Sequence, residues 1–164
     1  QGRAHGEGQS LKMDPHRDRR ARFQREHPQS TTILELTPGR RAVGGRAPLH
    51  LPSVGKLFLA SDERDRVRAY ATRTGRVGHT RNSLTQLAAL ERELDAVRAR
   101  GVARDDEELE IGVRCMAAGV YDDSGRLVAG LSISAPADRL EEAWLDRLKA
   151  TARQISAALG SHKA

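Results

Sequence analysis

The stretch that decides the fold runs from Asp105 to Pro136 and reads DDEELEIGVRCMAAGVYDDSGRLVAGLSISAP. An acidic cluster leads into an apolar-rich segment, a run of turn formers and a second apolar-rich segment. The turn formers are Asp122 to Gly125, and the glycine can adopt a positive φ without steric penalty. The flanks, Ile111–Tyr121 and Arg126–Ser134, are rich in β-compatible residues. The stretch therefore predicts an antiparallel hairpin.

The length of the loop sets the register of this hairpin. A four-residue loop places Cys115 opposite Ser132 and Val113 opposite Ser134. Because side chains alternate along a strand, the hairpin has two distinct faces.

One face is mostly apolar and is expected to pack against a helix; it consists of Arg114, Met116, Ala118, Val120, Leu127, Ala129, Leu131 and Ile133. The other is small and mildly polar; it consists of Val113, Cys115, Ala117, Gly119, Val128, Gly130, Ser132 and Ser134. Small residues leave room above a sheet, and a thiol with two hydroxyls can bind a compact polar ligand. Alternatively, the second face is a solvated or tightly packed surface without a function.

Composition limits the class of protein. A chain of 164 residues supports one domain with a real core. Its single Cys excludes an internal disulfide, which fits a cytoplasmic location, and no apolar run is long enough to span a bilayer. The net charge of +6 is spread along the chain, and only 3% of residues are aromatic. This pattern favours a solvated basic surface over a nucleic-acid groove.

The rest of the chain predicts one strand, several helices and an atypical start. Residues 1–30 have almost no hydrophobic periodicity and are expected to be disordered or an arm on a partner. A β-prone run covers Thr31–Leu36, and a short helix follows from Ser53, which we predict to be its N-cap. A second short helix starts at Ser61–Glu63 and runs toward Tyr70.

Two longer helices are predicted from apolar periodicity. Asn82–Arg100 begins with a capping box of Ser83 and Gln86 and stops at Gly101. Asp138–Leu159 is predicted to be capped by Asp138 with Glu141 and to end at Gly160. Its predicted buried stripe consists of Trp144, Leu148, Ile155 and Leu159. The order of elements indicates an α+β fold, with helices packed on a mostly antiparallel sheet.

The sequence offers little for catalysis or for metal binding. Cys115 lies on a strand, away from any helix N-terminus, and no His is near it in sequence, although His50 could approach it in space. Ser132 and Ser134 lack a nucleophile elbow. No His lies between His79 and His162 to join the acidic cluster in a metal site. We therefore expect neither an enzyme nor a metal or cofactor site. The acidic cluster either reaches over the pocket with a carboxylate or is a solvated turn.

A set of ordered motifs carries a resemblance to a known family. They are Pro48-Leu49-His50, Ser53-Val54-Gly55-Lys56, Asp106-Glu107-Glu108, Gly112-Val113-Arg114-Cys115, Ala117-Ala118 and Ser132-Ile133-Ser134-Ala135-Pro136. From Thr31 to Gly160 the chain resembles the C-terminal effector-binding domain of the isocitrate lyase regulator (IclR) family of bacterial transcription factors. The resemblance implies a GAF/PAS-like fold, a curved antiparallel sheet flanked by helices. It also implies dimers or tetramers and an effector that is a small organic acid or an aromatic metabolite.

The resemblance also assigns residues and domains. The family's pocket-lining positions fall on Ser53, Val54, Asp105, Val113, Cys115, Ser132 and Ser134. Residues 31–161 would form the effector-binding domain. Nothing in the sequence supplies the family's winged helix-turn-helix, so we expect the chain to contact operator DNA only through a domain that it lacks. The alternative function is an oligomerisation or interaction domain without an effector.

Overall fold

The computed structural model describes residues 30–32 and 46–162, and the structural statements below concern those residues. Five strands and four helices are found in this part of the chain. In chain order they are β1 (Ser30–Thr32), β2 (Arg46–Pro48), α1 (Ser53–Ser61), α2 (Arg64–Thr74), α3 (Leu87–Arg100), β3 (Val102–Asp106), β4 (Val113–Tyr121), β5 (Leu127–Pro136) and α4 (Trp144–Ala158).

Two antiparallel sheets organise these elements. β3, β4 and β5 form the main sheet in that order, and β1 pairs with β2 in a separate small sheet. The predicted α+β class and hairpin are confirmed. None of the helices in the described ranges is long and apolar enough to cross a membrane.

Helices cover both faces of the main sheet. On one face, Ala103 and Ala117 join a core built from α1, α2, α3 and the segment before α1. On the other face, Met116 and Ala118 pack against Leu148 of α4. The sheet is therefore the middle layer of three, and its two faces meet different partners.

The hairpin register differs from the prediction by two residues. Cys115 lies opposite Ser134 rather than Ser132, and Val113 lies opposite Pro136 rather than Ser134. Ser132 instead faces Ala117.

The turn accounts for one of the two residues by which the register is shifted. The Asp122 carboxylate accepts the backbone N–H groups of Ser124 and Arg126, each at 3.0 Å. Arg126 is therefore held in the loop, which has five residues, and Tyr121 pairs with Leu127. The predicted positive φ of Gly125 is confirmed at 74°.

A β-bulge between Val120 and Tyr121 accounts for the second residue of the shift. A shift of two residues preserves the side-chain alternation, so most residues keep their predicted face. The bulge does exchange two of them: Leu127 packs with the α1 core and Val128 with the α4 core, the reverse of the prediction.

Helix starts were the least accurate predictions. Ser53 is the first residue of α1, and Pro52 is the N-cap, without a side-chain cap. α3 starts at Leu87 and not at Asn82, because the Ser83 hydroxyl binds other backbone groups. The predicted stop at Gly101 is confirmed, with φ of 69°.

The last helix is also shorter than predicted. It starts at Trp144, so Asp138 and Glu141 do not cap it. Only Leu148 of the predicted stripe is fully buried, whereas Ile155 and Leu159 are 39% and 49% exposed.

Two predictions fall wholly or partly outside the described residues. They are the N-terminal arm, apart from Ser30, and the part of the first strand from residue 33 to 36. The start of that strand is present as β1.

The placement of α1 depends on Gly55. An alanine methyl group there would lie 2.7 Å from the Cα atom of Leu49 and closer still to its carbonyl oxygen. Because this contact is with backbone, we expect Gly55→Ala to lower the free energy of unfolding by about 3 kcal/mol or more in urea titrations. Gly75→Ala is the control: it meets only the strain of a φ of 65° in open space, a penalty of about 1–2 kcal/mol. Equal losses for the two variants would contradict the close approach of α1 to Leu49.

Candidate functional site

Two cross-strand rows form the floor of the candidate site. Asp105 on β3, Cys115 on β4 and Ser134 on β5 are directly opposite one another. The Cys115 Sγ and Ser134 Oγ atoms are 3.1 Å apart. The next row consists of Ala103, Ala117 and Ser132. Carboxylate, thiol and hydroxyl groups thus share one face of the sheet, beside small apolar residues.

The floor is buried at one end and open at the other. Asp105 and Cys115 are only 3% and 7% exposed, whereas Ser132 and Ser134 are exposed. The hydroxyl groups lie on β5, whose outer edge pairs with no strand among the described residues. The described part of the site is therefore accessible from the β5 side.

Helix α1 covers part of the face that was expected to stand open. A Cβ atom at Gly130 would lie 2.7 Å from a Val54 methyl carbon, so this side chain occupies the space above the glycine. Ser53 is 2% exposed beside it. Val113 lies at the far end of β4, opposite Pro136. The structure thus brings α1 onto the floor and leaves Val113 at its margin.

The acidic segment is a folded turn and is not wholly solvated. One oxygen of the Asp105 carboxylate accepts the backbone N–H groups of Glu108 at 2.8 Å and Leu109 at 3.3 Å. Asp106 and Glu110 are exposed, whereas Asp105 and Glu108 are buried. The turn is therefore built around a buried carboxylate that also belongs to the floor of the site.

A buried ion pair joins this turn to α1. The Lys56 ammonium group donates to the Arg104 carbonyl oxygen at 2.8 Å and to Glu108 Oε1 at 2.5 Å, and the Lys56 residue has 0% exposure. Glu93 of α3 lies 4.0 Å from the same ammonium group. Lys56 thus connects α1, α3, β3 and the turn that follows β3.

The carboxyl group of Glu108 titrates in an unusual range. Burial, with a smaller contribution from Asp105, raises its pKa to about 7 against the opposing effects of Lys56 and a hydrogen bond from the Asp106 backbone. The second oxygen, Oε2, is buried and has no hydrogen-bond partner among the described residues.

The connection between α2 and α3 supports the turn from outside. The Thr80 hydroxyl donates to the Glu107 carbonyl oxygen at 2.7 Å, and the Ser83 hydroxyl donates to the Glu108 carbonyl oxygen at 2.6 Å. Ser83 therefore holds the acidic turn instead of capping α3.

His50 has a structural role next to the site. Its Nδ1 atom lies 3.0 Å from the Tyr70 hydroxyl, and its Nε2 atom lies 3.2 Å from the Val77 carbonyl oxygen. The carbonyl can only accept, so Nε2 carries the proton and Nδ1 accepts from Tyr70. Burial lowers the pKa of His50. Because both ring nitrogens are engaged, His50 is not positioned as a base for Cys115.

No metal site is formed by the residues that the structure describes, since no group of three His, Cys, Asp or Glu side chains converges there.

On the opposite face of the sheet, β5 and α4 border an open, mostly apolar groove of about 340 Å³. Its lining residues are Leu131, Ser132, Ile133, Trp144, Arg147, Leu148 and Thr151. Ser132 therefore borders this groove as well as the floor, because it lies on the edge strand.

Sequence reasoning missed Lys56 and Glu108 as parts of this arrangement. Lys56 follows Ser53 by three positions, which is the spacing of one helix face. Glu108 follows Asp105 by three positions, which is the spacing of a carboxylate that accepts backbone N–H groups within a turn. Neither spacing alone shows that the two charges are buried together.

Removal of Lys56 tests the ion pair. We expect Lys56→Met to lower the free energy of unfolding by about 3–5 kcal/mol at pH 8, because it leaves a buried carboxylate without a counter-charge. At pH 5 the loss should be smaller, since Glu108 is then protonated.

The double variant Lys56→Met with Glu108→Leu is the matched control, and we expect it to recover most of the loss. Chemical denaturation at both pH values measures these effects. A double variant that loses the sum of the two single effects would contradict a direct pairing.

Comparisons with known proteins agree with the fold. Residues 34–159 match the family model "Bacterial transcriptional regulator IclR C-terminal". The chain is similar to the HTH-type transcriptional regulator KdgR of Escherichia coli, with 40% identity over 124 residues. The match covers 73% of the chain and 47% of KdgR, so the chain spans about half the length of this relative.

Solved structures extend the agreement. The C-terminal domain of E. coli KdgR matches with a TM-score of 0.67 and 33% identity, over 85% of this chain and 93% of that one. The inducer binding domain of the PobR transcription factor from Acinetobacter, in complex with 3-hydroxybenzoic acid, shares the fold at 21% identity. Its TM-score is 0.67, and the match covers 82% of this chain and 91% of that chain.

These relatives are transcriptional regulators and not enzymes. The chain belongs to the IclR family of bacterial transcriptional regulators and corresponds to the C-terminal domain of that family.

Proposed function

We propose that the chain is an effector-binding domain that takes up a small organic acid between the hairpin and α1. The row of Asp105, Cys115 and Ser134 is the observation that supports this function. Ligand sites typically combine a few placed polar groups with apolar walls. Here the walls are Val54 and the small residues of β4.

The polar groups suit an acid with a carboxylate and a second oxygen. The first turn of α1 has no side-chain cap and no acidic residue, so its backbone N–H groups and the helix dipole favour an anion. Ser53 stands at this helix start, and the exposed hydroxyls of Ser132 and Ser134 approach from β5. The Asp105 carboxylate can accept a hydrogen bond from a ligand hydroxyl or from a protonated acid. No cofactor is needed for this role.

Membership of the family supports a regulatory role. We propose that residues 31–161 act in a dimer or tetramer in the cytoplasm. Operator DNA is then bound by a winged helix-turn-helix domain outside this sequence, while the effector shifts the equilibrium between subunit arrangements through its different affinity for each.

A second candidate is an interaction domain without an effector. The packing of Val54 against Gly130 favours it, because this contact reduces the space above the floor. The groove beside Trp144 offers an apolar surface for such a role.

A thermal-shift screen tests the first function. We expect at least one of pyruvate, succinate and benzoate to raise the melting temperature by a few degrees at saturation, since ligand at one hundred times its Kd stabilises by about 2.7 kcal/mol. We expect Ser134→Ala to weaken the affinity about tenfold or more, because it removes a hydrogen bond to a charged group.

Ser61→Ala is the control, since it makes the same change at the far end of α1. A wider panel of 2-oxoacids, dicarboxylates and aromatic acids without any shift would overturn the effector function and favour the interaction domain. Unchanged affinity in Ser134→Ala would place the ligand elsewhere.

A further inference from the structure

Helix α1 places one apolar side chain directly on the floor of the candidate site. A Cβ atom at Gly130 would lie 2.7 Å and 3.1 Å from the two methyl carbons of Val54 and 3.3 Å from its Cβ atom. The Val54 side chain therefore stands where a side chain on residue 130 would be. The φ of Gly130 is not positive, so occupied space, and not backbone conformation, requires glycine here.

The position of Val54 is held from several sides. Its β-branched side chain has few χ1 rotamers, and it packs against the core that α1 shares with α2 and α3. The next residue, Gly55, rests on the backbone of Leu49, and Lys56 joins the same turn of α1 to the end of β3. Val54 is therefore a fixed wall of the site and does not move aside at low cost.

The third cross-strand row, after the two that form the floor, is filled from a second direction. Gly119 lies directly opposite Gly130 in this row. A Cβ atom at Gly119 would lie 2.7 Å from a Leu127 methyl carbon and 2.8 Å from the Tyr121 hydroxyl oxygen. Leu127 and Val54 pack against the same core. Side chains of the protein thus occupy the space above both glycines, and the floor ends at this row.

The floor that remains is short. Its two rows, which contain Cys115 and Ala117, are two residues apart along β4, a distance of about 6.7 Å. The carboxylate, thiol and hydroxyl groups of Asp105, Cys115 and Ser134 lie in the first row. A ligand that is bound by these groups has only the length of the second row before it meets Val54.

We propose that Val54 sets the size limit of the effector and restricts it to unbranched acids of three or four carbon atoms. A branched or aromatic tail on the same acid would need the apolar space above Gly130, which Val54 occupies. The inference rests on the proposed effector function and gives the contact between Val54 and Gly130 a role in specificity. In an interaction domain without an effector, the same contact would only close the site.

Pairs of acids that share their polar groups test the size limit. 3-Methyl-2-oxobutanoate is pyruvate with two additional methyl groups, and 2,2-dimethylsuccinate is succinate with two additional methyl groups. Isothermal titration calorimetry of the full chain gives the dissociation constants. We expect the small member of at least one pair to bind about tenfold or more tightly than its dimethyl derivative. Equal affinities within each pair that binds, or tighter binding of benzoate than of any small acid, would overturn the proposal.

Val54→Ala removes from the protein the two methyl groups that each derivative adds to the ligand. We expect the ratio of the two dissociation constants to shift about tenfold or more in favour of the derivative, because its methyl groups then fill the vacated apolar space. Val128→Ala is the matched control, since it makes the same change on the face of β5 that packs against α4. We expect this control to keep the wild-type ratio, and an equal shift in both variants would refute the role of Val54.

The two proposals fail in distinguishable ways. Binding of a small acid with the same ratio in the wild type and in Val54→Ala would refute the size limit and leave the effector function standing. If no acid binds either protein, the effector function is refuted, and the size limit that rests on it is refuted as well.

The contact itself is tested without an effector. Gly130→Ala should lower the melting temperature by about 4 °C or more, because the new methyl group collides with Val54. We expect the loss to be less than half as large when Gly130→Ala is combined with Val54→Ala, since the colliding methyl carbons are then absent. Equal losses in the two backgrounds would refute the contact and with it the size limit.

Discussion

The ammonium group of Lys56 is the constraint on which the site depends. A buried cation must be paired and hydrogen-bonded, and its partners come from different parts of the chain. Arg104 supplies a carbonyl oxygen from β3, and Glu108 supplies a carboxylate from the following turn. Lys56 extends from α1, so these interactions of its ammonium group hold that helix over the sheet. They thereby place Ser53 and Val54 above the floor.

Two glycines determine how closely α1 approaches Leu49 and strand β5. Gly55 lets the helix backbone rest on Leu49, and Gly130 makes room for the Val54 side chain on β5. Together with Lys56, these contacts fix the distance between the first turn of α1 and the sheet. Val54 fills the space above Gly130, so this side chain favours a compact ligand over a bulky one.

The hairpin and its two faces could be predicted from the local sequence. Its register could not, because it depends on a side-chain hydrogen bond and a bulge that the alternation of residue types does not reveal. The alternating residues of β4 and β5 identify two faces, and the shift of two residues left Cys115 and Ser134 on one face. The shift arose because Asp122 binds the Arg126 N–H and because a bulge follows Val120. The role of Ser83 was mispredicted for a similar reason, because its hydroxyl donates to the carbonyl oxygen of Glu108, in a turn that is distant in sequence. Burial of Glu108 depends on Lys56, 52 positions earlier, and no local signal reports such a pair.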